Sequence, residues 1–276
     1  KIQLFRPQEN FKRLNASCDR LVIPRLDEKL LLDSLKKLIE VDKDWVPHEK
    51  DTSLYIRPFI ISNQAVLGVH PSKTYIYCVI LSPSGAYYKG GLNPVKIYVE
   101  TKYVRAVKGG MGMAKTGGNY AASLVAQEEA EKEGYSQVLW LDGVERKYIE
   151  EVGAMNVFFQ IGDEIVTPEL SGSILPGITR KSVLEVLRSW GMNVSERRLS
   201  VDELMQAAEN GTLKEAWGTG TAAVISPIGE LKCNDVVAVI NHNEIGPLSQ
   251  KLYNTLTDLQ WGRSEDKFGW IEPCCD

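Results

Sequence analysis

Residues 109–120 read GGMGMAKTGGNY, a single lysine, Lys115, set between two glycine pairs and followed by a tyrosine. Glycine has no Cβ and visits positive φ at little cost, so this backbone can bend sharply and let a flat ligand approach closely. The lysine then projects from a fixed place. Taken alone, the stretch also reads as a solvated turn carrying one exposed lysine. The rest of the chain has to decide between the two.

A phosphate-binding P-loop is the first alternative, with Gly109, four residues, then Ala114-Lys115-Thr116 where that motif has Gly-Lys-Ser/Thr. QVLWLD, residues 137–142, even reads as a strand ending in a magnesium-binding aspartate, Asp142. Two features oppose it. Ala114 replaces the glycine before the lysine, and Gly117 and Gly118 are expected to break the helix that a P-loop lysine must begin.

The second alternative is a lysine that forms a Schiff base with an aldehyde cofactor, which needs an amine able to lose its proton, as in a partly desolvated site. Pyridoxal phosphate demands three further partners: an anion cup, an acid for the pyridine nitrogen and a donor for the ring hydroxyl. The chain offers each. Tyr120 lies five residues beyond Lys115 and can return to the same pocket. Glu151 opens EVGAMN, where an apolar strand would carry the carboxylate inward. LPGIT sets Gly177, Ile178 and Thr179 at a helix start, where unpaired N–H groups and the helix dipole favour a phosphate. GTGTA, residues 218–222, is a second small-residue turn with hydroxyls and amides to offer.

The composition is that of a globular protein: 276 residues, 43% hydrophobic and 25% charged, with a net charge of −4. Acidic and basic residues are interleaved, which argues against nucleic acid as a partner and for small molecules. No apolar run is long enough for a bilayer-spanning helix, and no secretory leader pattern opens the chain, so the reading is a soluble, cytoplasmic protein. The five cysteines (18, 78, 233, 274 and 275) show no zinc-ligand spacing, and their odd count fits reduced thiols. No metal is expected.

In chain order, KIQLFRP reads as the second strand of a hairpin whose first strand is absent, an expectation of truncation at the N-terminus. Residues 10–16 are helical, and PRLDEKLLLDSLKKLIEVD, residues 24–42, carries a second helix capped by Asp27 with a stripe at Leu30, Leu31, Leu35 and Leu38. SLYIRPFII and YIYCVIL are strands by their β-branched and aromatic content. The Gly- and Pro-rich stretch 84–94 is the natural boundary. It separates a small α/β domain, residues 1–83, from a larger one, residues 95–276.

In the second part Asn119 is expected to cap a helix ending at Gly134, and Gly162-Asp163 to turn a hairpin. Ser200 and Glu203 form a capping box, and Gly218-Thr219-Gly220 is expected to join LKEAW to TAAVIS. Hairpins interleaved with helices predict an α/β (mixed α+β) chain whose larger domain holds a barrel-like mixed sheet rather than a doubly wound one.

GGNY after the lysine, EVGAMN, ILPGITR and WGTGTA stand in the order and spacing of the fold-type IV pyridoxal phosphate enzymes. With LFRP, IEVDKDWVP and SLYIRP, the chain resembles the branched-chain amino-acid aminotransferases from Ile2 to about Gly262. The resemblance implies that Lys115 holds pyridoxal 5′-phosphate, that Glu151 faces the pyridine nitrogen and that Tyr120 bonds the ring oxygen. It implies that Arg13, Ile178, Thr179 and Thr221 hold the phosphate. Tyr55, Arg57 and the Thr221-Ala222 amides would receive the substrate.

The implied reaction passes the amino group of L-leucine, L-isoleucine or L-valine to 2-oxoglutarate, in a homodimer. The resemblance leaves open a D-amino-acid transaminase, an aminodeoxychorismate lyase, or a silent fragment that binds cofactor without turnover. Taken singly, Arg13 reads as a solvated helix arginine, Glu151 as a surface carboxylate beside Glu150, and Tyr55 as a core aromatic. The chain departs from the family pattern at Ala154, where threonine is common. Ala223 and Ser226 occupy the places of the redox CxxC of animal members, and the segment before LFRP, which supplies strands and pocket aromatics, is not present.

Overall fold

The computed structural model describes residues 1–85 and 92–275; part of the expected 84–94 boundary therefore lies outside the described residues. The chain opens with β1 (Ile2–Phe5), α1 (Pro7–Leu21), α2 (Glu28–Val41), β2 (Ser53–Ser62) and β3 (Tyr75–Ser84). Next come β4 (Val95–Glu100), α3 (Gly117–Ala121), α4 (Leu124–Lys132), β5 (Gln137–Leu141), β6 (Ile149–Val152), β7 (Asn156–Ile161) and β8 (Glu164–Thr167). The last part holds α5 (Ile178–Ser189), β9 (Asn193–Glu196), α6 (Val201–Glu209), β10 (Leu213–Gly220), β11 (Val224–Cys233), β12 (Val236–Val239), α7 (Pro247–Gln260) and β13 (Ile271–Cys275).

Two compact units result, one of Lys1–Lys89 with Thr257–Asp276, the other of Gly90–Leu256. The grouping of the C-terminal stretch with the first unit differs from the expected 95–276 division, and its cause is strand pairing. β1 finds its antiparallel partner in β13, with Leu4 opposite Glu272 and Phe5 opposite Ile271. Strand character at Ile2–Phe5 was readable locally; a partner at the other end of the chain was not.

In the first unit, Asp27 caps α2 by accepting from the Leu30 N–H at 2.9 Å. Leu31, Leu35 and Ile39 of that helix pack with Leu4 and Phe11 in a buried cluster. Leu30 is 64% exposed, so the buried stripe runs one residue round from the expected one. α1 is also longer than the expected 10–16, because Pro7 suits a first helical position and Phe11 and Cys18, seven apart, share the buried face. β2 and β3 pair antiparallel over their whole lengths.

Among the described residues, the second unit is built on a nine-stranded sheet of order β6-β5-β4-β11-β10-β7-β8-β9, with β12 added beside β11. β4 is parallel to β5 and β11, and β8 to β9; the other pairs are antiparallel. The order alone shows curvature. β6 and β7 are separated by four strands along the sheet, yet a two-residue turn, Gly153-Ala154, joins them, with Val152 and Met155 exchanging two backbone hydrogen bonds of 2.9 Å. The sheet must curl round to bring those strands together, which is the barrel-like form expected. Gly153 supplies the turn's positive φ of 55°. Trp140, Phe158, Phe159 and Trp217 are wholly buried, Phe158 stacked on Trp217 and Phe159 on the opposite face of β7.

Glu215 of β10 is buried and caps α7, accepting from the N–H groups of Leu248 at 2.9 Å and Ser249 at 2.8 Å. Three local expectations need correction. Gly117 and Gly118 do not break a helix; they begin α3, because Thr116 is extended and Ala122 N–H closes on the Gly118 carbonyl. Asn119 lies inside α3 rather than capping α4. The β10–β11 turn falls at Thr221-Ala222-Ala223, since Gly218, Thr219 and Gly220 still pair with Ser226, Ile225 and Val224.

Candidate active site

The lysine loop is pinned by one side chain. Asn119 donates from Nδ2 to the carbonyls of Met111 at 2.8 Å and Ala114 at 2.9 Å, so the backbone on either side of Met113 is tied to α3. Gly112 faces Ser173 so closely that a Cβ there would overlap the Ser173 carbonyl group. Between these anchors the Lys115 side chain stands exposed, where partial desolvation was expected. Its Nζ donates to Tyr120 Oη at 2.8 Å and lies 5.4 Å from the centre of that ring. The turn of α3 is what carries Tyr120 back to the lysine.

Glu151 enters from β6, opposite Trp140 of β5, and is 3% exposed. Its Oε1 accepts from the Leu175 N–H at 2.8 Å, and its Oε2 lies 3.2 Å from Arg105 Nε. Burial pushes its carboxyl up to about 7, against the pull of Arg105, the Leu175 N–H and the Lys115 charge. A carboxyl of that kind holds a proton or a cationic N–H partner in a nearly dry setting. Glu150 beside it is buried as well, and burial raises its carboxyl above the usual range. Neither is the surface carboxylate that the local pattern alone allows.

Leu175 links this carboxylate to α5. Asn156 Nδ2 donates to the Leu175 carbonyl at 2.9 Å, and a Cβ on Gly177 would overlap Asn156 Oδ1. Gly177 is extended and gives α5 no side-chain cap, so the first turn at Ile178 and Thr179 presents backbone N–H groups with the positive end of the helix dipole. The Thr221-Ala222 turn is exposed, and it follows Gly220, which packs on Met155 just beyond Glu151.

Lys115, Tyr120, Glu151, Ile178, Thr179, Thr221 and Ala222 thus all belong to the second unit. Arg13, Tyr55 and Arg57 belong to the first. There Arg13 Nη2 approaches Asn10 Oδ1 at 3.4 Å, and the Arg57 guanidinium lies 5.2 Å from the centre of the Tyr55 ring, two residues back on the same face of β2. Arg105, Ser173 and Asn156 went unmarked in the sequence; their one local signal is a polar residue in a strongly apolar or small-residue setting. Asp142, the magnesium candidate of the P-loop alternative, is a turn residue. Its carboxylate accepts four backbone N–H groups, from Val144, Glu145, Lys147 and Tyr148. Burial opposes its ionisation, but those donors outweigh it and hold the carboxyl below its usual range.

A curled mixed sheet with a lysine loop, a buried acid and an uncapped helix start on one unit is the arrangement of a class of transferase, and the sequence agrees. The profile of the "Amino-transferase class IV" family matches residues 2–231, and the chain belongs to that family. It is 59% identical over 269 residues to "Branched-chain-amino-acid aminotransferase 2" of Bacillus subtilis (strain 168), covering 98% of this chain and 74% of that one. It is 48% identical to the "Branched-chain-amino-acid aminotransferase" of Mycolicibacterium smegmatis, over 97% of this chain and 74% of that protein. Among solved structures, the branched-chain amino acid aminotransferase of Escherichia coli superposes with a TM-score of 0.83 at 28% identity, covering 99% of this chain and 85% of that one. A second solved branched-chain amino acid aminotransferase, with pyridoxamine 5′-phosphate, gives 0.84 at 27% identity, with the same coverage.

Proposed function

We propose that the protein is a branched-chain amino-acid transaminase, moving the amino group of L-leucine, L-isoleucine or L-valine to 2-oxoglutarate, with pyridoxal 5′-phosphate held by Lys115. The observation that carries the reading is the meeting of Lys115 and Tyr120 at 2.8 Å on the unit that also buries Glu151. The donor set suits the cofactor. An amine beside a phenol suits an aldehyde with an adjacent ring hydroxyl, a buried acid suits a pyridine nitrogen, and an uncapped helix start suits a phosphate.

When bound, pyridoxal 5′-phosphate supplies an aldehyde that condenses with amines and a protonated ring that draws electrons from the substrate α-carbon. The chain's own residues do the rest. Lys115, as a free amine, would take the proton from the substrate α-carbon and deliver one to the cofactor's aldehyde carbon. Tyr120 orients the ring oxygen by its hydroxyl. Glu151, held by Arg105 and the Leu175 N–H, keeps a proton on the ring nitrogen. Ile178, Thr179 and Thr221 bind the phosphate. Ala222 receives the substrate.

The relatives' names and the family match support the substrate class, and the working form is read as a cytoplasmic homodimer. Among the described residues, no helix is long and apolar enough to cross a membrane. The test is direct: the 276-residue chain, given pyridoxal 5′-phosphate, leucine and 2-oxoglutarate, forms glutamate and a branched 2-oxo acid. A bound cofactor without glutamate would leave a silent fragment. Faster turnover with D-alanine than with leucine would move the chain to another branch of the fold.

A further inference from the structure

We infer that Glu150 and Ser173 form a clamp that positions the start of α5 against the lysine loop, and so tunes affinity for the cofactor's phosphate. The inference rests on the pyridoxal phosphate reading above. Neither residue is among those expected to touch the cofactor; both act through the backbone between residues 173 and 178.

Ser173 is 1% exposed and is gripped on every side. Its hydroxyl donates to Glu150 Oε1 and lies 3.2 Å from Ser171 Oγ. Its carbonyl accepts from Arg105 Nη2, and Gly112 of the lysine loop packs directly on that carbonyl. One residue therefore touches the loop that carries Lys115, the arginine beside Glu151, and the strand that bears both carboxylates. Two residues on, Leu175 donates its N–H to Glu151, and its carbonyl is held by Asn156; two more bring the chain to Gly177 and the uncapped first turn. The segment has little slack, so an error in the placement of Ser173 passes along to the α5 N–H groups.

Glu150 has no evident structural need to be a carboxylate. It is 5% exposed, and its Oε2 is buried without a hydrogen-bond partner. Leaving a buried polar oxygen unmatched is unfavourable, so a residue that only filled space there would be better apolar. What Glu150 gains is the hydroxyl of Ser173, a residue whose carbonyl Arg105 holds at the same time. An amide oxygen can accept that hydroxyl as a carboxylate does, whereas alanine cannot.

The test compares two ligands that differ only in phosphate. Purified protein and its Glu150→Ala, Glu150→Gln, Ser173→Ala and Glu150→Ala/Ser173→Ala variants are titrated with pyridoxal 5′-phosphate and with pyridoxal, followed by absorbance. Glu150→Ala and Ser173→Ala are each expected to weaken pyridoxal 5′-phosphate binding about tenfold while pyridoxal binding shifts less than about twofold. The double variant should be no weaker than the weaker single one, and Glu150→Gln should stay within about threefold of the unaltered protein. Equal losses for both ligands, additive losses in the double variant, or unchanged phosphate-ligand affinity would each overturn the clamp. Ser173→Ala removes one oxygen and opens no sizeable cavity, so it carries the test if Glu150→Ala does not fold. An unaltered protein that binds neither ligand overturns the cofactor reading itself, and the clamp with it.

Discussion

Lys115 and Tyr120 are five residues apart and meet at 2.8 Å because one short helix, Gly117–Ala121, turns the chain back between them. The phenol therefore accompanies the lysine wherever the loop places it. Replacing Tyr120 with Phe keeps the ring and deletes the hydroxyl. A lost hydrogen bond to a charged or developing-charge group is worth about 1.5–3 kcal/mol, so kcat should fall roughly tenfold to a hundredfold with the cofactor still bound. Steady-state rates alongside absorbance spectra check this; an unchanged kcat would remove Tyr120 from the site.

Gly112 in the lysine loop and Gly117 at the start of α3 stand under opposite constraints. A Cβ at Gly112 would overlap the backbone of Ser173, which cannot rotate away, whereas nothing lies within 4 Å of a Cβ at Gly117. Gly112→Ala is expected to cost about 2–4 kcal/mol of stability through overpacking and backbone shift, and Gly117→Ala less than about 1 kcal/mol. Denaturant unfolding of the two variants decides it, and equal losses would contradict the close approach.

Glu151 makes stability depend on pH. Its carboxyl goes from 4.5 to about 7 on folding, chiefly through burial, so the folded chain keeps a proton that the unfolded chain gives up. That contribution is full below the unfolded value and is lost as pH rises through about 7. Without added cofactor, unfolding free energy should therefore drop from about pH 5 to about pH 8, with a slope from this residue of at most ~1.4 kcal/mol per pH unit. Glu151→Gln should flatten that slope, leaving the smaller contribution of the same sign from Glu150. A slope unchanged in the Gln variant would mean that Glu151 is ionised in the fold.

Glu215 offers a test away from the site. It caps α7 from a neighbouring strand through the N–H groups of Leu248 and Ser249 and the Ser249 hydroxyl, the last at 2.8 Å. Glu215→Ala leaves those buried donors without an acceptor, and a loss of about 2–4 kcal/mol is expected. Thermal unfolding measures it; a change below about 0.5 kcal/mol would show that water replaces the cap without cost.

Local chemistry made some of this legible in the sequence and concealed the rest. Asp27 before an apolar stripe, Gly162-Asp163 between two strands, and a lysine among glycines each declare themselves within a few residues. Glu151 and Thr179 could be singled out by the chemistry a lysine-held cofactor requires. Ser173, Glu150 and Arg105 could not, because their roles come from meeting across 23 and 68 residues of chain, and nothing in YVRAV or SGSIL announces a burial partner. The same holds for the β1–β13 pair. The two glycines after Lys115 misled through propensity: glycine weakens a helix interior, but at a helix start fixed by Thr116 and Asn119 its cost is small. The shift of the β10 turn by three residues has the same origin, since small residues mark turns and also close packing, here of Gly218 and Gly220 on Met155.

The central claim is that Lys115 is the residue that holds the cofactor. Protein loaded with pyridoxal 5′-phosphate, reduced with borohydride, digested and read by mass spectrometry should carry one pyridoxyl group on the peptide that contains Lys115. The nearby Lys108 should remain unmodified, and a Lys115→Ala variant should give no adduct. A reduced adduct that survives in Lys115→Ala, or that is spread evenly over surface lysines of the unaltered protein, would contradict the account.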